Sequence, residues 1–92
     1  MKIEFDPAKR SATLEARGLD MADAGEMFEG PTITVEDLRK DYGEPRFVTI
    51  GFLRRRMVAV AWTPRGAARR IISMRKTNAK EQKEFGPQFR RP

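Results

Sequence analysis

Six consecutive apolar residues, Met57-Val58-Ala59-Val60-Ala61-Trp62, stand in the middle of a chain otherwise dense in charge. A strand with one face open to water alternates apolar and polar side chains. An unbroken apolar run of this length therefore predicts a central strand covered on both faces. The sequence around it reads as an antiparallel meander. Residues 32–36 place Ile33 and Val35 on one face, and a polar turn follows through Lys40-Asp41-Tyr42-Gly43. Residues 46–53 are rich in β-formers and join residues 57–63 through the basic loop Arg54-Arg55-Arg56, as a hairpin would. Pro64-Arg65-Gly66 makes the next turn, and residues 69–76 form the last strand.

The cover is expected from helices. After a short strand at residues 2–5, Asp6-Pro7 reads as an N-cap followed by proline at the first helical position, with a helix to Arg17 and a left-handed stop at Gly18. Asp20 caps a second helix, with Met21, Ala24, Met27 and Phe28 along one face, and Gly30-Pro31 ends it. Two helices that each bury one stripe need a sheet to cover. Asn78 and Glu81 form a capping box that opens a short C-terminal helix, which Gly86-Pro87 is expected to stop. The reading is thus an α+β fold of one domain over residues 1–87, with a flexible basic tail at 88–92.

Composition narrows the chemistry. The chain has no cysteine and no histidine, which removes disulfides, thiolate nucleophiles, imidazole acid–base catalysis and the usual zinc ligands, so neither metal nor cofactor is expected. No apolar window reaches the ~18 residues of a membrane span, and Met1-Lys2-Ile3-Glu4 runs straight into charged sequence, so a soluble, cytoplasmic protein is expected. The net charge of +6 hides a division: residues 1–45 hold 6 Lys/Arg and 11 Asp/Glu, a balance of −5, whereas residues 46–92 hold 13 and 2, a balance of +11. A positive half of that strength attracts polyanions such as RNA.

The candidate site residues are charged ones. Strict alternation along the last strand places Arg69, Ile71, Ser73 and Arg75 on one face and Arg70, Ile72, Met74 and Lys76 on the other. Arginine offers a fixed fork of donors matched to phosphate oxygens; the competing reading pairs these arginines with Glu4, Glu26 or Glu29. Glu44 and Arg46 are spaced to point together, either as a turn salt bridge or as a carboxylate beside a guanidinium in a site. Without histidine, RNA cleavage needs other groups to take the 2′-hydroxyl proton, steady the phosphorane and protonate the leaving oxygen, and Glu, Arg, Lys and Tyr can do so. Glu44 is the candidate base; Arg46, Arg65, Arg70 and Arg75 are candidates to bind the phosphate; Lys9, Tyr42 and Lys76 are candidates to hold RNA or to act as an acid. Trp62 and Phe47 are read as core rather than as base-stacking platforms, and Arg54-Arg55-Arg56 as a loop that attracts nucleic acid diffusely.

Four blocks occur in order: Asp6-Pro7-Ala8-Lys9, Tyr42-Gly43-Glu44-x-Arg46-Phe47, Thr63-x-Arg65-Gly66 and Arg70-Ile71-Ile72-Ser73-x-Arg75-Lys76. On these blocks the chain resembles the BrnT toxins over residues 5–85. The resemblance implies a RelE-like fold, RNA cleavage that inhibits translation, and neutralisation by a BrnA-type antitoxin. It also implies a toxin–antitoxin heterotetramer that binds operator DNA through the antitoxin's ribbon-helix-helix part. The pattern differs at two places, with Phe5 where the family commonly has tryptophan, and Ala16-Arg17-Gly18 where it commonly has Lys-His-Gly. A role assigned to that histidine cannot operate here. The alternative to an endoribonuclease is a non-catalytic basic module that binds nucleic acid or an acidic protein.

Overall fold

The local signals at the N-terminus produce the elements they encode. In a computed structural model that describes residues 1–90, strand β1 (Lys2–Glu4) leads into helix α1 (Pro7–Arg17). The Asp6 carboxylate accepts the Ala8 amide at 2.8 Å, Pro7 opens the helix, and Gly18 closes it at φ +68°. Asp20 accepts the Ala22 amide at 3.0 Å and caps a 3₁₀ turn, Met21–Asp23, which passes into helix α2 (Ala24–Glu29). Strands β2 (Thr32–Glu36), β3 (Phe47–Leu53), β4 (Arg56–Arg65) and β5 (Ala68–Lys76) follow, then helix α3 (Ala79–Phe89). The sheet order is β1-β5-β4-β3-β2, an antiparallel meander with β1 added parallel to β5. Among the described residues no helix is long and apolar enough to cross a membrane.

Strand β4 is central and covered on both faces, as its apolar run requires. Val58, Val60 and Trp62 meet Leu19, Met21, Ala24 and Met27 from the first two helices, together with Ile71 and Met74 of β5. Met57 and Ala59 point the other way, where with Ile50 they are covered by Phe85 and Phe89 of α3. Burying a valine such as Val58 or Val60 stabilises the fold by about 1.5–3 kcal/mol. Trp62 lies in the core, as read from the sequence: its Nε1 donates to the buried Thr49 hydroxyl at 2.8 Å and its ring stacks on Phe47 with centroids 5.0 Å apart.

The structure corrects the sequence reading in three places. First, β4 runs from Arg56 to Arg65, so the β3–β4 loop shrinks to Arg54-Arg55, and Pro64 and Arg65 belong to the strand rather than the turn. Pro64 lies beyond the last β3 pair, Phe47 with Trp62, where a proline is tolerated. Second, α3 passes through Gly86-Pro87 and ends at Phe89. Phe85 and Phe89, four residues apart, both pack on the sheet, and Phe89 meets Phe52 edge to face at 5.0 Å. That contact offsets the hydrogen bond lost at Pro87 in the last turn. Gln88 and Phe89 of the expected tail are therefore helical, while residues 91–92 lie outside the described residues.

Third, β5 does not alternate strictly. Ala61 pairs with Ser73 and Trp62 with Ile71, so Ile72 is a bulge with no partner on β4. Residues directly opposite share a face. Arg69, Ile71, Met74 and Lys76 consequently lie on the side of α1 and α2, and Arg70, Ser73 and Arg75 on the side of α3. The extra residue puts Arg70 and Arg75, which alternation would separate, on one face.

Candidate nucleic-acid interface

Helix α3 covers only the part of its face formed by Ile50, Met57 and Ala59. Where β3 begins and β4 ends, that face is free of helix, and the segment from residue 37 to residue 46 folds against it. The Asp37 amide donates to the Arg46 carbonyl at 2.8 Å, which continues the β2–β3 pairing beyond the strand ends. The Arg39 fork grips the Asp37 carboxylate at 2.9 and 2.8 Å, and the Tyr42 hydroxyl donates to it at 3.0 Å. These contacts, the Arg39 fork foremost, hold the Asp37 carboxyl well below the usual carboxylate range and push the Arg39 guanidinium up. Gly43, at φ +71°, turns the chain, its amide donating to Asp41 at 2.9 Å. The buried Thr63 hydroxyl then donates to the Pro45 carbonyl at 2.6 Å and ties this segment to β4.

The result places Glu44 between two arginines. Its Oε2 lies 3.5 Å from Arg46 Nε and its Oε1 3.5 Å from Arg65 Nη2. The Arg46 guanidinium lies over the Tyr42 ring, 4.1 Å from the centroid, and its buried Nε has no hydrogen-bond partner among the described residues. Leaving a buried donor unsatisfied costs about 1–3 kcal/mol. Arg46 is thus a charged donor held rigidly beside a carboxylate that incompletely satisfies it.

Arg70 lies on the same face, opposite Thr63 of β4. Glu4 is its neighbour on β1, yet among the described residues Arg70 forms no ion pair. Arg75 pairs with Ala59, four β4 positions away from Thr63 and so about 13 Å along the strand. Its guanidinium is engaged by both oxygens of Glu81, at 2.7 and 2.8 Å. That fork lowers the Glu81 carboxyl to about 2 and raises the Arg75 guanidinium.

The structure therefore brings Tyr42, Glu44, Arg46 and Arg65 together, adds Arg70 on the same surface, and sets Arg75 at the far end in an ion pair. It does not bring in the lysines. Lys9 lines a groove between α1 and the bulged edge of β5, next to Arg17 and Ile72. Lys76 is exposed on the opposite face, beside Val58. Of the helix carboxylates considered as arginine partners, Glu26 takes Arg54 at 3.4 Å. Sequence reasoning missed Asp37 and Thr63, which position the segment without belonging to the charged cluster. The only local signal for Asp37 was the basic and aromatic company of Arg39 and Tyr42. It also gave no role to Arg69, whose guanidinium stacks over Trp62 at 4.3 Å and Phe28 at 4.5 Å and closes the edge of the core.

No curated protein matches the chain. A family model described as "Ribonuclease toxin, BrnT, of type II toxin-antitoxin system" matches residues 5–81, a span that holds the whole Tyr42-Glu44-Arg46-Arg65 cluster, Arg70, and the Arg75–Glu81 pair. The chain therefore belongs to the BrnT family: it is an RNA-cleaving toxin of a type II toxin–antitoxin system.

Proposed function

We propose that the uncovered face around Glu44 is the active site of a metal-independent endoribonuclease whose cleavage of RNA inhibits translation. The observation that carries the reading is the placement of one carboxylate within 3.5 Å of two guanidiniums, on an open surface that a third, unpaired arginine shares. In this reading Glu44 takes the proton of a ribose 2′-hydroxyl as that oxygen attacks the adjacent phosphorus. Arg46, Arg65 and Arg70 neutralise the charge that gathers on the phosphorane oxygens. The leaving 5′-oxygen is protonated from solvent. Tyr42 acts as the platform that aims Arg46, since its own hydroxyl proton is committed to Asp37. Lys9 and Lys76, on the other side of the sheet, and Arg75, held by Glu81, have no part in this step.

A ribonuclease toxin of a type II system has a protein antitoxin and an RNA target. The finer reading is a cytoplasmic protein neutralised by a BrnA-type ribbon-helix-helix antitoxin, in a heterotetramer that binds operator DNA. An open basic face next to an exposed β2 edge supports capture by an acidic partner segment. Antitoxin-free protein incubated with RNA in chelator is the test. Cleavage should persist, and Glu44→Gln and Arg70→Ala should each abolish it while leaving circular dichroism unchanged. RNA that stays intact at every wild-type concentration removes the proposal.

A further inference from the structure

The β3–β4 hairpin closes over two residues, Arg54 at φ +49° and Arg55 at φ +76°, with Leu53 paired to Arg56. Both loop positions are left-handed, a conformation that Asn-Gly adopts at little cost and that arginine disfavours. Arg54 is accounted for by Asp23 and Glu26, at 3.6 and 3.4 Å. Arg55 is not: among the described residues it makes no ion pair and no side-chain hydrogen bond. It borders a groove of about 470 Å³ between the hairpin tip and the last turns of α3, with Phe52, Gln82, Phe89 and Arg90 in the walls and, among the described residues, no carboxylate in the lining. Phe52 remains 39% exposed there, edge to face with Phe89.

We propose that this groove is a second single-stranded RNA subsite, in which Phe52 stacks on a base and Arg55 and Arg90 hold the flanking phosphates. An exposed ring beside guanidiniums that have no ion pair among the described residues matches the two surfaces of a nucleotide, a π-face and an anion. An acidic protein segment would use the cations and leave the ring without a partner. The identity of the ligand rests on the ribonuclease reading. Phe52 lies on the same face as Arg46, six residues along β3 and so about 20 Å away. RNA that reaches both points runs past α3, and the groove selects substrates several nucleotides long.

The test is fluorescence anisotropy with a labelled single-stranded 12-mer RNA carrying a 2′-O-methyl group on every ribose, so that no cleavage is needed. Phe52→Leu, which keeps an apolar contact with Phe89, should weaken binding roughly 5- to 100-fold. Arg55→Gly should weaken it too and reduce the slope of log K against log salt by about 0.7. Its melting temperature should be no lower than wild type, because glycine accepts φ +76° freely. Unchanged RNA affinity in both variants overturns the proposal. So does a loss of antitoxin binding with RNA affinity intact, which would make the groove a protein surface. A wild-type protein that binds this RNA through Phe52 and Arg55 but cleaves no unmodified RNA refutes only the proposed catalysis.

Discussion

Glu81 performs two tasks with one carboxylate. Its side chain takes the Asn78 amide at 2.9 Å in the capping box of α3 and also grips Arg75. The carboxyl titrates at about 2 in the fold, chiefly because of Arg75, whereas a free glutamate titrates near 4.3. A depressed folded value means the contribution is fully present above about pH 4.3 and is lost as pH falls toward 2. Glu81→Gln should therefore flatten the acid limb of the melting-temperature profile in that window. At neutral pH it should lower stability by about 1 kcal/mol, a modest figure because the pair is partly exposed. A denaturant melt at pH 7 and at pH 3 checks both. At Tyr42 the ring and the hydroxyl separate cleanly. Tyr42→Phe keeps the surface under Arg46 and should lower cleavage less than Tyr42→Leu, which removes it; steady-state rates with a fluorogenic RNA give the comparison.

At the scale of elements, the close approach of α2 to β3 depends on one missing side chain. A Cβ on Gly51 would run into Met27 Sδ and lie 3.2 Å from Thr32 Cγ2, and Met27 is fully buried with little room to move. Gly51→Ala should cost about 1–3 kcal/mol of stability, read from a urea midpoint shift at constant slope. The elements themselves were largely legible. The Asp6-Pro7 cap, the Asn78–Glu81 box and the apolar run of β4 are local signals, and the fold obeys them. What was not legible was whatever depends on a partner element. Whether α3 outlasts Pro87 is decided by Phe52 and the sheet beneath Phe89, not by the residues around the proline. Glu44 and Arg46 announced themselves by spacing, but the arrival of Arg65 depends on the β3–β4 register, and the face of Arg70 depends on a bulge that no residue near Ile72 encodes.

For the whole molecule, the division of charge becomes spatial only in part. Acidic helix residues absorb some of the arginines, through Arg10–Asp20 and Arg54 with Asp23 and Glu26, and Arg75 is taken by Glu81. Arg10 accordingly titrates higher than usual and Asp20 lower, each because of the other. Arg46, Arg65 and Arg70 lie together on the α3 side of the sheet, whereas Lys9, Arg69 and Lys76 lie on the other. RNA binding should therefore weaken steeply with salt. For three phosphates held by Arg46, Arg65 and Arg70, a single strand gives a slope of about −2 in log K against log salt, or roughly a 20-fold loss between 50 and 200 mM. Isothermal titration across that range, with uncleavable RNA, measures it; a slope near zero would leave no role for phosphate contacts.

Ile72, with no charge and no cross-strand partner, makes a spacing of five residues behave in the ladder as a spacing of four. Deleting its codon would leave the protein's charge unchanged, and the plain ladder so restored would keep every neighbour on its present face, because Arg70 and Arg75 would then stand four residues apart. A strand that kept Ile72 but ran without the bulge is the one that would part Arg70 from Arg75 and take one of them off the proposed RNA face. A bacterium escaping such a toxin would thus gain little by removing this isoleucine and would have to alter an arginine or the core.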